Sequence, residues 1–126
     1  MSDFSRFRNE EFLSLETYRK NGDTIKSPMW FAQDNDVLYL WTMADTSKVK
    51  RIRNNPKVNI APCKRLGEVT GAWMTAHATI DDSPVVVAQV EAMLLKKIGL
   101  FFRIFRFIDA IRDRQKNSHR ICIKLT

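Results

Sequence analysis

The stretch Val37-Leu38-Tyr39-Leu40-Trp41-Thr42-Met43-Ala44-Asp45-Thr46-Ser47-Lys48-Val49-Lys50-Arg51-Ile52-Arg53-Asn54-Asn55-Pro56 holds the change of pattern around which the chain is organised. Its first five residues form a strand-like apolar run, followed by small hydroxyl residues and then four cations. Asp45 or Thr46 is a suitable N-cap, so a short helix is predicted over 47–54, with Thr46, Ser47 and Lys48 at its start. A helix N-terminus presents unpaired N–H groups and partial positive charge, and an adjacent lysine turns it into a phosphate site. Standing alone, the same residues read more readily as a solvated basic helix. Their neighbours decide between the two.

Upstream, residues 12–20 read as a strand, with Leu13, Leu15 and Thr17 on one face and Phe12, Ser14, Glu16 and Tyr18 on the other. Asn21-Gly22-Asp23 is a hairpin signal, because glycine tolerates positive φ. A return strand is predicted over 24–33, where Pro28 suits an edge or a bulge. Asp34-Asn35-Asp36 makes the next turn, and 37–43 a third strand. Downstream of Pro56, strands are expected over 57–61 and 72–80, with a loop bracketed by Gly67 and Gly71 between them. Asp81-Asp82-Ser83-Pro84 caps a helix over 85–97, Gly99 breaks it, and a second helix is expected over 100–115. Residues 119–125 close the chain as a sixth strand. Hairpins followed by a helical pair and a returning strand predict a mostly antiparallel α+β domain or small barrel, a single domain over 1–126.

The chain has 126 residues, 44% hydrophobic and 28% charged, with a net charge of +7 and a pI near 9.7. That excess favours an anionic partner: phosphate, nucleotide, nucleic acid or an acidic membrane face. Cys63 and Cys122 lack CxxC spacing and a nearby His pair, so two buried thiols in a reducing compartment are expected and no metal site. The charged start, MSDFSRFRNEEF, has no apolar signal region, so a cytoplasmic location is expected. No apolar run approaches the roughly 20 residues that span a bilayer.

Several pieces, in order, resemble the split-barrel flavoproteins related to pyridoxamine phosphate oxidase, and within them the small flavin- or deazaflavin-dependent oxidoreductases. They are Leu15-Glu16-Thr17-Tyr18-Arg19-Lys20-Asn21-Gly22, Ser27-Pro28-Met29-Trp30-Phe31, Leu38-Tyr39-Leu40-Trp41-Thr42, the segment from Ser47 to Val58, Ala61-Pro62-Cys63 and Gly71-Ala72-Trp73. The likeness covers about 12–80 and extends loosely to the terminal strand. It implies an FMN-binding split β-barrel whose cofactor lies in a groove at a homodimer interface. By position it implies Lys26 and Lys48 at the cofactor phosphate, with Thr46 and Ser47 as donors at the helix start. Met29, Trp30 and Phe31 would line the ring, and Trp41 and Thr42 would flank the ribityl chain. Trp73 would sit near the site, and Lys50, Arg51 and Arg53 would either serve the longer anionic tail of a deazaflavin coenzyme or be solvated. Apolar walls for a flat ring and paired cations for a phosphate make physical sense of that set. Where pyridoxamine phosphate oxidases carry a substrate-binding lysine this chain has Phe31, and Ser47 stands where they commonly have Arg before the helix lysine. The cofactor half of the pattern survives and the substrate half does not.

The expected activity is hydride transfer between FMN and a small organic substrate, with the deazaflavin coenzyme F-420 as the alternative cofactor and no side chain named as catalytic. Two other readings compete: a protein that stores or binds cofactor without catalysis, and a membrane-surface protein. The latter rests on 96–114, where Phe101, Phe102, Ile104, Phe105, Phe107, Ile108 and Ile111 alternate with Arg103, Arg106, Arg112 and Arg114. Burial of Phe101, Phe105 and Ile108 in the core is the expectation, with arginine stems at the rim, so membrane binding is not expected. Nucleic-acid binding is not expected either, because the cations do not follow one strand groove. His77 and His119 lack a triad-like context, and Asp81-Asp82 reads as a cap rather than a carboxylate pair.

Overall fold

A computed structural model describes residues 4–104, 107–108 and 119–126. After a 3-10 turn at Ser5–Phe7 come β1 (Phe12–Tyr18), β2 (Thr24–Trp30), β3 (Ala32–Asp34) and β4 (Val37–Met43). Then follow α1 (Ser47–Asn54), β5 (Lys57–Cys63), β6 (Met74–Asp81), α2 (Pro84–Ile98) and β7 (Arg120–Leu125). The strands form one antiparallel sheet in the order β2-β1-β5-β6-β7-β4-β3.

That order dictates the shape. β2 and β3 are the two ends of the sheet, yet only Phe31 separates them in the chain. Neighbouring Cα atoms are ~3.8 Å apart across a trans peptide, so the sheet must curl until its edges meet. The result is an α+β split barrel. The single return strand expected over 24–33 is therefore two strands, and the strand count is seven rather than six. Pro28 lies on β2, which is an edge strand, where its missing N–H breaks no ladder.

Two-residue alternation sorts the side chains. Leu38 and Leu40 of β4 and Ile121, Ile123 and Leu125 of β7 point into the barrel with Leu13, Leu15, Val58 and Ile60. Trp41 and Cys122 point out, onto α2, which contributes Val87, Val90 and Leu94. Helix α1 adds Val49 and Ile52, three residues apart, to the barrel interior. Both cysteines are buried free thiols, and burial pushes Cys122 up to about 12.

Turn chemistry follows the sequence closely. Gly22 sits at φ 94° in the β1–β2 turn, and Asn21 Oδ1 accepts from the Asp23 N–H at 3.0 Å. Gly99 at φ 80° ends α2. Two caps differ from expectation. The N-cap residue Thr46 donates its hydroxyl to the Met43 carbonyl at 3.1 Å instead of capping α1. Ser83 holds the N-cap position of α2, while Asp81 Oδ1 accepts from the Ser83 N–H at 2.9 Å, which tightens the turn into Pro84.

The second helix is observed at 100–104 and 107–108; Phe105 and residues 109–115 of the expected helix lie outside the described residues. Here the expectation of a buried face is corrected. Phe101 and Ile108 are 62% and 49% exposed, and Phe102 is the buried residue. A helix turns about 100° per residue, so placing Phe102 inward carries Phe101 and Ile108 outward.

The strand junction is reinforced from α2. Lys97 Nζ donates to the Phe31 carbonyl at 2.8 Å and lies 3.5 Å from the centre of the Phe31 ring, while Phe7 meets the same ring edge-on at 5.9 Å. Phe31→Ala should destabilise the fold by about 3–5 kcal/mol, the range for removing a buried aromatic ring; a loss below about 1 kcal/mol in chemical denaturation would contradict its structural role. Desolvation lowers Lys97 to about 8 against the opposing pull of Glu11 and Glu10. An unfolded lysine titrates near ~10.4, so between these limits the unfolded chain binds more protons, and the unfavourable contribution of this group fades as pH rises. An NMR titration of the Lys97 side chain should give a midpoint near 8; a midpoint in the ordinary lysine range would refute the tucked ammonium.

Candidate functional site

Where β2, β4, α1 and α2 approach one another they leave an open groove of about 240 Å³. Its walls follow from strand alternation. Trp30 and Pro28 share the outward face of β2, and Phe12 lies opposite Trp30 in the β1–β2 register. The Phe12 and Trp30 rings are near parallel at 26°, with centres 6.0 Å apart. Across the groove Trp41 points out from β4, and Phe102 stands edge-on to both indoles, 6.2 Å from Trp30 and 5.4 Å from Trp41. Met29 and Leu94 complete the apolar part.

The polar end is small and specific. Thr42 follows Trp41 on β4, and Lys48 stands in the first turn of α1. Lys48 titrates below the ordinary lysine range because burial penalises its charge, with Arg51 adding repulsion. A desolvated cation beside a helix N-terminus is primed to receive an anion, whose charge would raise the lysine back toward its ordinary range.

Of the residues singled out in the sequence, Met29, Trp30, Trp41, Thr42 and Lys48 line this groove together. The others are placed differently. Phe31 is fully buried in the barrel core, packed on Phe7 and Lys97, so its side chain is not a groove wall; one step along β2 from Trp30 turns it to the opposite side. Lys26 shares the outward face of β2 with Pro28 and Trp30 but lies beyond the lining, its Nζ 5.3 Å from the centre of the Trp73 ring. Among the described residues that line the groove Lys48 is the cation, and Lys26, expected with it at the phosphate, stands further along with the half-exposed Trp73. Thr46 and the exposed Ser47 begin α1 beside Lys48. Arg51 donates from Nε to Thr17 Oγ1 at 2.6 Å, one turn on, near Arg19.

Phe12, Pro28, Leu94 and Phe102 were not among the expected site residues. Phe12 and Pro28 were legible in principle, because they share a face and register with Trp30. Leu94 and Phe102 were not, since an apolar residue in a helix reads as core until its packing is known.

The arrangement suits a flat aromatic ligand with an acidic end: four aromatic side chains, Phe12, Trp30, Trp41 and Phe102, offer apolar walls, and Lys48 offers charge. The groove is somewhat smaller than the ~300–1,000 Å³ of typical small-molecule sites. His77 and His119 are exposed and outside it.

No protein-family model matches the chain, and no curated protein does. Solved structures do. HutZ, the heme storage protein from Vibrio cholerae, aligns with a TM-score of 0.66 at 19% identity, over 97% of this chain and 85% of its own. A candidate pyridoxamine 5'-phosphate oxidase from Listeria innocua gives a TM-score of 0.60 at 14% identity, over 97% and 87%. An F420 reductase gives 0.57 at 16%, over 99% and 93%. At such identities the likeness concerns the backbone, and it agrees with the sheet order and the closure at Phe31: the chain has the split-barrel fold of the pyridoxamine phosphate oxidase-like proteins.

Proposed function

We propose that the groove binds FMN, with the deazaflavin coenzyme as the alternative, and that the protein acts as a homodimeric oxidoreductase on a small organic substrate. The observation that carries this reading is the union of the aromatic walls of Trp30, Trp41 and Phe102 with the desolvated Lys48 at the start of α1. When bound, such a cofactor supplies the hydride chemistry. The chain's own residues do the rest. Trp30 and Trp41 orient a flat ring, Phe102 limits access of water, Thr42 offers a hydroxyl beside them, and Lys48 with the α1 N–H groups meets the phosphate. No groove residue is assigned a proton-transfer role.

A second chain is part of the reading, and the modest size of the groove, about 240 Å³, supports it. Trp73 and Lys26, exposed beyond its end, extend the same surface toward a partner. Heme fits these walls less well. Among the described residues the lining holds no histidine, cysteine or tyrosine, and Met29 offers its sulfur. Cofactor binding without catalysis is separated from turnover by whether the reduced, loaded protein passes electrons to any small acceptor.

Titration of the apoprotein with FMN should quench the groove tryptophans. Lys48→Ala should weaken FMN by about 1.5–3 kcal/mol, the range for a hydrogen bond to a charged group, and riboflavin, which lacks the phosphate, far less. Equal losses for the two ligands would remove Lys48 from the phosphate site. Light scattering on the loaded protein should report a dimer; a monomer that retains its cofactor would contradict the shared site.

A further inference from the structure

We propose that the outward face of the helical segment after Gly99 docks on an anionic lipid bilayer. Leu100, Phe101, Ile104, Phe107 and Ile108 are 67%, 62%, 50%, 67% and 49% exposed. Their spacing is that of one helical stripe, and Phe102 on the opposite side, fully buried against Trp30 and Trp41, fixes which face is turned outward. The patch extends beyond the helix. Arg65 lies 5.6 Å from the centre of the Phe101 ring, which brings up the β5–β6 loop, where Leu66 is 94% exposed. Scattered exposed apolar residues need no explanation, but a contiguous group of this size does.

Charge selects the occupant. Arg65, Lys96 and Arg103 are exposed beside the patch, and residues 96–114 carry six cations against two acids. A two-fold dimer built on this face would set identical cationic surfaces against each other. An acidic bilayer attracts the cations at the headgroups and takes the apolar stripe into the acyl boundary, with lysine and arginine stems snorkelling outward. Among the described residues no helix is long and apolar enough to cross a membrane. The exposure of Phe101 and Ile108, which were expected in the core, is what this reading builds on.

Full-length protein should cosediment with vesicles containing phosphatidylglycerol and not with phosphatidylcholine alone, and added salt should weaken the binding. Phe107→Asp should reduce vesicle affinity by roughly tenfold or more, with melting temperature, oligomeric state and FMN affinity unchanged, because Phe107 faces away from the groove. Leu66→Asp, on the loop, tests the same face without touching the helix. Absence of binding to acidic vesicles would overturn the proposal. So would variants that bind as well as the parent, which would mean attraction by net charge alone. A Phe107→Asp protein that turns from dimer to monomer would make the face a subunit interface instead.

Discussion

Phe31 must join the two ends of a seven-stranded sheet with a single residue. That is the constraint on which the molecule depends. Chain connectivity forces the sheet to close, and closure creates an interior that only apolar side chains can fill. Phe31 occupies that interior itself, wedged against Phe7, while its carbonyl is held by Lys97 from the end of α2. The lysine thus ties the outer helix to the point where the barrel shuts. Its desolvation shows in a titration lowered to about 8.

The groove is a by-product of the same closure. Trp30 immediately precedes Phe31 and faces out, so the junction also sets where its indole stands across the groove from Trp41 on β4, the strand next to the far edge. Helix α2 lies over that outer face because Trp41 and Cys122 present an apolar strip to it. The chain that continues past Gly99 then drops Phe102 between the two indoles. Lys48 arrives from the other direction, on a helix anchored in the barrel by Val49 and Ile52. One side of the post-Gly99 helix therefore completes the groove, and the other side is exposed.

Much of this was legible in the sequence. The β4–α1 unit appears with the predicted boundaries, because an apolar run, a hydroxyl turn and an amphipathic basic helix are local signals. Five of the expected site residues converge on the groove for the same reason: Met29, Trp30, Trp41, Thr42 and Lys48 lie on elements whose period is clear. What failed was long-range. The break at Phe31 has no local signal, since a strand that changes sheet edge looks like one that continues. Phe31 consequently read as a ring contact and is core. Lys26 has the right strand and face but stands too far along β2, a matter of register rather than pattern. The helix after Gly99 is apolar around much of its circumference, so its composition could not say that Phe102 is the inward residue and Phe101 the outward one.

The central claim is that the aromatic groove with Lys48 holds a flavin-type cofactor. The most direct test is the absorption spectrum of freshly purified protein, followed by mass spectrometry of what is released on denaturation. Oxidised-flavin or deazaflavin absorption, with release of the matching phosphorylated species, is the predicted result. A heme spectrum would contradict the claim, as would a colourless protein that takes up neither FMN nor the deazaflavin coenzyme when both are offered in excess.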